Sequence, residues 1–318
     1  MPGATGSRPS IVSAVALGEE HLARLGGVVQ VVDFARAGDT EISERLRDAE
    51  GLLVNSHVTA DSHLLTHAPK LRALSTISVG FDHIDLAEAS RRAITVTHTP
   101  VLSDAVADLT LGLILMVARR LREAVDIVAG GGWDDALLGH DLRDKTLLIV
   151  GLGRIGQEVA RRALGFKMRV CAFDSRAELA SIAGVERVPT LHDALRRADV
   201  ISLHVDLNPA TRLLLDDAAF ATMKSSAFVI NTSRGGVIDQ GALTRALAQH
   251  RIAGAGLDVL ECEPPEAGEP LLSMPNVVVL PHIGSATVET RAAMLDCAVD
   301  NLATCLRGET CPNALPPV

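Results

Sequence analysis

The sequence has no C-x-x-C pair, no apolar run of membrane length, no low-complexity segment and no short-period repeat, and its first ten residues show no apolar h-region. Each absence removes a class of protein. Five cysteines (Cys171, Cys262, Cys297, Cys305 and Cys311) are an odd number without paired spacing, which reads as free thiols in a reduced cytoplasm rather than a disulfide framework. The opening MPGATGSRPS carries no h-region, so no secretory signal is expected. The longest apolar run, Leu109 to Ala118, contains Thr110 and Gly112 and stops at Arg119, so it reads as a buried helix rather than a membrane span. Basic charge is also short: 30 Lys and Arg face 39 Asp and Glu, a net charge of −9. That balance disfavours nucleic acid or an anionic membrane as a partner. The arginine pairs 91–92, 119–120, 161–162 and 196–197 are scattered, as on solvated helix faces.

What is present is a chain of 318 residues, 47% hydrophobic, long enough for two domains with cores of their own. The first nine residues read as a mobile tail. Strand-like runs then alternate with helical ones: Ile11 to Leu17, Val28 to Phe34, Gly51 to Asn55, Ala73 to Ser78 and Ala93 to Thr97. Such alternation implies a parallel sheet covered by helices. After Pro100 one long helix is expected from Ser103 to about Ala129, ending at a glycine triplet and Trp133. Further strands are expected at 200–205, 227–231, 254–259 and 277–280, and a last helix from Thr287 to about Leu306. That last helix is expected to pack back onto the N-terminal part. The implied fold class is α/β, with two doubly wound parallel-sheet domains and a cleft between them. A Rossmann-type dinucleotide domain, residues 99–283, is inserted in a flavodoxin-like substrate domain, residues 1–98 and 284–318.

The centre of this organisation is Thr146 to Asp174. An apolar run, 147–150, leads into Gly151-Leu-Gly153-Arg-Ile-Gly156, a helical pattern follows, and a second apolar run ends at Asp174. Gly151 suits the tight turn, Gly153 the close approach of a pyrophosphate and Gly156 the packing of helix on strand. Asp174, 18 residues past Gly156, suits a ribose hydroxyl. A glycine turn alone is weak evidence; the strand, helix and acid around it make a dinucleotide site. A carboxylate at Asp174 repels a 2′-phosphate and favours NAD(H), whereas Ser175 and Arg176 leave NADP(H) as the alternative.

Three later strands deliver Arg234, Glu263 and His282 to their carboxyl ends, where open α/β sheets bind ligands. A histidine suits proton donation to a ketone oxygen near neutral pH, a carboxylate on its other nitrogen orients it, and a guanidinium clamps a carboxylate. Each residue alone has a plain structural reading; together, beside a dinucleotide fold, they read as catalytic. His63 and His67, four apart, have no third ligand of suitable spacing apart from His57 in the same segment, and no metal is expected. Cys262 lies between two acids and reads as a bystander.

The stretches LSTISVGFDHID (74–85), VGLGRIG (150–156), INTSRGGVID (230–239), GLDVLECEP (256–264) and LPHIGSAT (280–287) resemble the D-isomer-specific 2-hydroxyacid dehydrogenases, most of all their glyoxylate/hydroxypyruvate and 2-ketoaldonate reductase branch. The resemblance covers essentially the whole chain. It implies Arg234, Glu263 and His282 as catalytic residues and the N–H groups of Val79 and Gly80 as holders of a substrate carboxylate. It places dinucleotide contacts at Arg154, Ile155, Asp174, Val205, Thr232, Asp258 and Ser285. It also implies a homodimer and lets Trp133 approach a neighbouring subunit's active site, whereas the residue's own setting after a glycine triplet reads as a core or dimer-contact role. Two rivals are a 3-phosphoglycerate dehydrogenase, whose family tends to carry an Arg where Asn55 stands, and a non-catalytic dinucleotide-sensing corepressor. The full Arg/Glu/His set speaks against the second. The expected reaction is hydride transfer between a nicotinamide and a small 2-keto acid, in a cytoplasmic enzyme. Glyoxylate, hydroxypyruvate and 2-ketogluconate are not ranked by the sequence.

Overall fold

Short apolar, β-branched runs return every twenty or so residues, and their pairing builds two all-parallel sheets. The computed structural model describes residues 8–101, 103–176 and 182–318; residues 1–7 of the expected tail lie outside them. The chain divides into two compact units, Met1–Leu102 with Thr287–Val318 and Ser103–Ala286.

In the first unit the strands are β1 (Ser10–Ser13), β2 (Val28–Val31), β3 (Gly51–Val54), β4 (Ala73–Thr76) and β5 (Thr95–Thr97). Their order is β2-β1-β3-β4-β5, the flavodoxin-like arrangement. All residues of β3 and β4 are buried, as expected of strands covered on both faces. Helices α1 (Glu19–Leu25), α2 (Asp39–Leu46), α3 (Ser62–Thr66) and α4 (Leu86–Arg91) make the crossovers. Asp61 and Asp85 start the last two by accepting the N–H groups of Leu64 and Glu88.

The second unit opens with α5 (Ser103–Ala118) and α6 (Leu121–Ala129). The single helix expected over 103–129 is therefore two. The break is at Arg120, which takes a left-handed φ of +53° and pairs with Glu123. The apolar period runs through both segments, and one residue's dihedral does not show in it. Their surroundings differ sharply: α5 is buried along most of its length, while α6 buries no residue. Seven strands follow: β6 (Thr146–Val150), β7 (Arg169–Phe173), β8 (Val185–Arg187), β9 (Val200–Leu203), β10 (Phe228–Asn231), β11 (Gly254–Leu257) and β12 (Val277–Val279). Their order, β12-β11-β10-β9-β6-β7-β8, reverses direction between β6 and β9, as in a dinucleotide-binding sheet. The three-residue β8 is too short and polar to read from sequence. The helices are α7 (Arg154–Gly165), α8 (Leu191–Arg197), α9 (Asp217–Thr222) and α10 (Gln240–Ala248). Arg162 of α7 binds Asp104 and Asp108 of α5, fixing two helices on one face.

The last helix, α11 (Val288–Leu306), belongs to the first unit and lies against β3, β4 and α1. Gly51 admits it: a Cβ there would lie 3.0 Å from Leu306 and 3.3 Å from Leu302. Arg24 of α1 ties down the outer face of α11 through Asp296 and Asp300.

Candidate functional site

The strand β6 ends in the glycine loop, and the loop's geometry follows from what a side chain would strike. Gly151 has φ +94°. At Gly156 a Cβ would overlap the Gly151 carbonyl, so only glycine lets α7 begin this close to β6. Gly153 caps α7 without a side-chain partner, and the helix N-terminus faces the switch point of the sheet. A pyrophosphate fits this cradle by shape and charge. Arg154 is exposed, and Ile155 and Val205 are half-buried near the loop.

Asp174 closes the loop from β7. One carboxylate oxygen accepts the Leu152 N–H at 2.8 Å, and the other accepts the Arg176 N–H and Nε at 2.9 and 3.1 Å. Burial opposes ionisation, but Arg176 and these N–H groups outweigh it and hold the carboxyl below its ordinary range. The guanidinium of Arg176 lies close over Gly153. Asp174 and Arg176, weighed above as opposing votes on the cofactor, thus form one ion pair, with Ser175 exposed between them.

The loops after β10, β11 and β12 bring the three candidate side chains into one unit. At Gly235 a Cβ would collide with the Leu260 carbonyl, so the loop after β10 can lie directly on the loop after β11. Arg234 enters this contact with its carbonyl held by Asn231 Nδ2 at 2.9 Å and its Nη1 donating to the Ser233 carbonyl at 2.8 Å. Glu263 accepts the Leu260 N–H at 2.9 Å on one oxygen and lies 2.7 Å from His282 Nδ1 on the other. Partial burial would raise its pKa. His282, the Leu260 N–H and the charge of Arg234 reverse that, so Glu263 stays ionised. An ionised carboxylate requires Nδ1–H as donor, which leaves Nε2 of His282 for proton exchange.

His282 itself has a left-handed φ of +53°. Asp258 holds it there: its carbonyl accepts the His282 N–H, and its two carboxylate oxygens accept the Ile283 and Gly284 N–H groups at 2.8 and 2.7 Å. Burial pushes the Asp258 pKa up, against the pull of those two N–H groups. The sequence reading gave Asp258 a dinucleotide contact; its holding of the His282 loop was not legible in it. Thr232 is nearly buried, and its hydroxyl lies 3.0 Å from that of Thr110. Thr110 donates to the Val106 carbonyl, so Thr232 must donate to Thr110 and keeps only acceptor capacity. Ser285 is half-buried after the His282 loop.

His204, after β9, was not singled out by the sequence reading. Its Nε2 meets Ser202 at 2.8 Å, its Nδ1 is sealed without a partner among the described residues, and burial pushes its pKa down to about 3. In the first unit Val79 and Gly80 lie half-buried after β4. His63 and His67 meet edge to face, and among the described residues no group of three or more His, Cys, Asp or Glu is placed to hold a metal.

Residues 111–284 match the family model of the D-isomer specific 2-hydroxyacid dehydrogenase NAD-binding domain. The chain is 43% identical over 321 residues to a glyoxylate/hydroxypyruvate reductase B of Citrobacter koseri, covering 98% of both. Among solved structures, the TT0316 protein of Thermus thermophilus is 40% identical, with 96% of this chain and 100% of that chain covered and a TM-score of 0.88. An NADPH-dependent glyoxylate/hydroxypyruvate reductase of Sinorhizobium meliloti, solved with NADP and malonate, is 32% identical over 98% of both chains, with a TM-score of 0.86.

Proposed function

The chain belongs to the D-isomer specific 2-hydroxyacid dehydrogenase family, and from that premise we propose that it reduces small 2-keto acids such as glyoxylate and hydroxypyruvate. The observation that carries this reading is the His282–Glu263 pair at 2.7 Å, with Arg234 charge-coupled to it. A reduced nicotinamide held at the glycine loop would supply the hydride. His282 Nε2 gives the proton to the ketone oxygen, Glu263 holds the ring and balances the imidazolium, and Arg234 polarises the ketone and orients the carboxylate. The N–H groups of Val79 and Gly80 take the substrate carboxylate. On this reading the Ser103–Ala286 unit binds the dinucleotide and the other unit the substrate.

The dinucleotide is assigned to Gly151, Gly153, Arg154, Ile155, Gly156, Asp174, Val205, Thr232, Asp258 and Ser285. NAD(H) is favoured because Asp174 stays ionised at the end of β7. Ser175 and Arg176 are the residues through which NADP(H) would be accepted. Asn55, where a phosphate-binding rival would carry an Arg, spends its Oδ1 on the His57 N–H at 3.0 Å.

A homodimer is proposed on α6. Leu121, Val125 and Val128 share one helical face and are exposed in the single chain, and Trp133 is 86% exposed. No helix among the described residues is long and apolar enough to cross a membrane, and the proposed setting is the cytoplasm. The reading is tested by a turnover panel of glyoxylate, hydroxypyruvate and 2-ketogluconate with NADH and NADPH. Turnover of at least one is expected, and none with any pair would refute it.

A further inference from the structure

Three consecutive carbonyl groups after β4 are each held from within their own unit. The Ser78 carbonyl accepts the Thr99 N–H at 2.9 Å. The Val79 carbonyl accepts His98 Nδ1 at 2.9 Å, and the Gly80 carbonyl accepts the Ser78 hydroxyl at 2.5 Å. In a trans peptide the N–H points opposite to the preceding carbonyl. The N–H groups of Val79, Gly80 and Phe81 are therefore turned away from these anchors. None of the three has a hydrogen-bond partner among the described residues, and all three residues are half-buried. A run of free N–H groups of this kind is an anion site.

The anchors are themselves ordered by a chain of donors whose directions are forced. Ser78 spends its proton on the Gly80 carbonyl, so at 3.0 Å it must accept from Thr76. Thr76 has then spent its own proton, so at 2.9 Å it must accept from His83 Nε2–H. A carbonyl acceptor likewise fixes His98 as the Nδ1–H form. The ring of His98 packs edge-on against Phe81, and its backbone carbonyl accepts from Asn301 of α11 at 2.9 Å.

We propose that Thr76, Ser78, His83 and His98 are positioning residues that aim three backbone amides, that of Phe81 included, at the substrate carboxylate. This rests on the reading that the loop takes that carboxylate. Because the loop offers donors and no acceptor, it selects an all-acceptor end group, a carboxylate over a carboxamide.

The test uses the full chain with Ser78→Ala, Thr76→Val and the conservative Thr76→Ser. Loss of one ordering hydrogen bond is expected to raise KM for the keto acid roughly threefold to tenfold, with a smaller change in kcat and an unmoved Kd for NADH. Thr76→Ser should restore KM. An unchanged KM in both Ser78→Ala and Thr76→Val, or a Thr76→Ser variant as impaired as Thr76→Val, would overturn the proposal. A second measurement does not need turnover. The amide resonances of Val79, Gly80 and Phe81 are followed while potassium oxalate is added to the parent and to Thr76→Val. Saturating shifts at these amides, weakened in the variant, support the proposal, and their absence in the parent overturns it. If the parent turns over no 2-keto acid, the functional reading fails while the oxalate titration still decides this one.

Discussion

The Gly151–Gly156 loop and the Ser78–Phe81 loop both present backbone N–H groups at strand ends, but they are held open by different means. In the first, the shape is set by missing side chains: a Cβ at Gly156 has no room, and Gly151 adopts a dihedral other residues avoid. In the second, the shape is set by side chains that are present, Ser78 and His98, each anchoring a carbonyl. The first kind of loop announces itself in a sequence because its glycines keep fixed spacing. The second does not, because its anchors come from residues up to about twenty positions away whose types are common everywhere.

Substitutions that disturb one loop should therefore leave the other intact. The broadest effect, on stability and on dinucleotide binding together, is expected from Gly156→Val. Overlap with the Gly151 carbonyl should cost on the order of 1–3 kcal/mol in stability. The dinucleotide Kd should rise by about tenfold or more, which corresponds to roughly 1.4 kcal/mol. Oxalate shifts at Gly80 should persist in this variant. Calorimetric titration with NADH and a thermal melt check both points, and an unchanged Kd would mean the glycine loop does not hold the dinucleotide.

Arg234→Lys comes next. An ammonium cannot reproduce the planar fork a guanidinium offers a carboxylate. A loss of roughly tenfold to a hundredfold in kcat/KM for the keto acid is expected, with KM raised and kcat lowered. If only the cofactor Kd moves, the substrate role is wrong.

Asp174→Asn sharpens the cofactor side. The parent should prefer NADH, and the variant should shift towards NADPH by about tenfold, since a partly desolvated carboxylate no longer opposes the 2′-phosphate. A parent that already prefers NADPH tenfold would show that Arg176, which pairs with Asp174, decides the choice.

The narrowest effect concerns His204 and is read in stability alone. The unfolded chain takes up this proton near the ordinary 6.5, the folded chain only near 3. Below pH 6.5 the unfolded state thus binds more protons, and stability falls as pH falls, by up to about 1.4 kcal/mol per pH unit for this one group. Asp174, Asp199 and Glu263, all held below the usual carboxylate range, lose their contributions only at more acid pH. His204→Asn should flatten the loss between pH 6.5 and 5 in denaturant titrations, and an unaltered slope there would show that His204 is not the cause.

The parallel sheets were legible because their strands are buried on both faces and read as unbroken apolar runs, as with Leu52 to Val54 and Leu147 to Val150. The end of the β1 run at Ser13, whose hydroxyl bonds the Val15 backbone, and the break at Arg120, set by one left-handed dihedral, were not, since the apolar residues continue past both. In the candidate site, glycine spacing exposed the dinucleotide loop, and strand order exposed Arg234, Glu263 and His282 as a set. Hidden from that reading were the partners that fix geometry: Asp258 under the His282 loop, Thr110 behind Thr232 and Ser78 under Gly80. Asp258 and Thr110 work through hydrogen bonds to distant segments, and Ser78 through a common residue type two positions from the carbonyl it holds, so no local pattern marks them.

The central claim is that His282, oriented by Glu263, protonates the ketone during hydride transfer. It is tested most directly by mixing glyoxylate with NADH-loaded enzyme and following loss of the reduced nicotinamide in one turnover, in the parent and in His282→Ala. The account predicts that the variant binds NADH as the parent does and transfers hydride about 10²–10⁴-fold more slowly. A variant that transfers hydride at the parent's rate would contradict it.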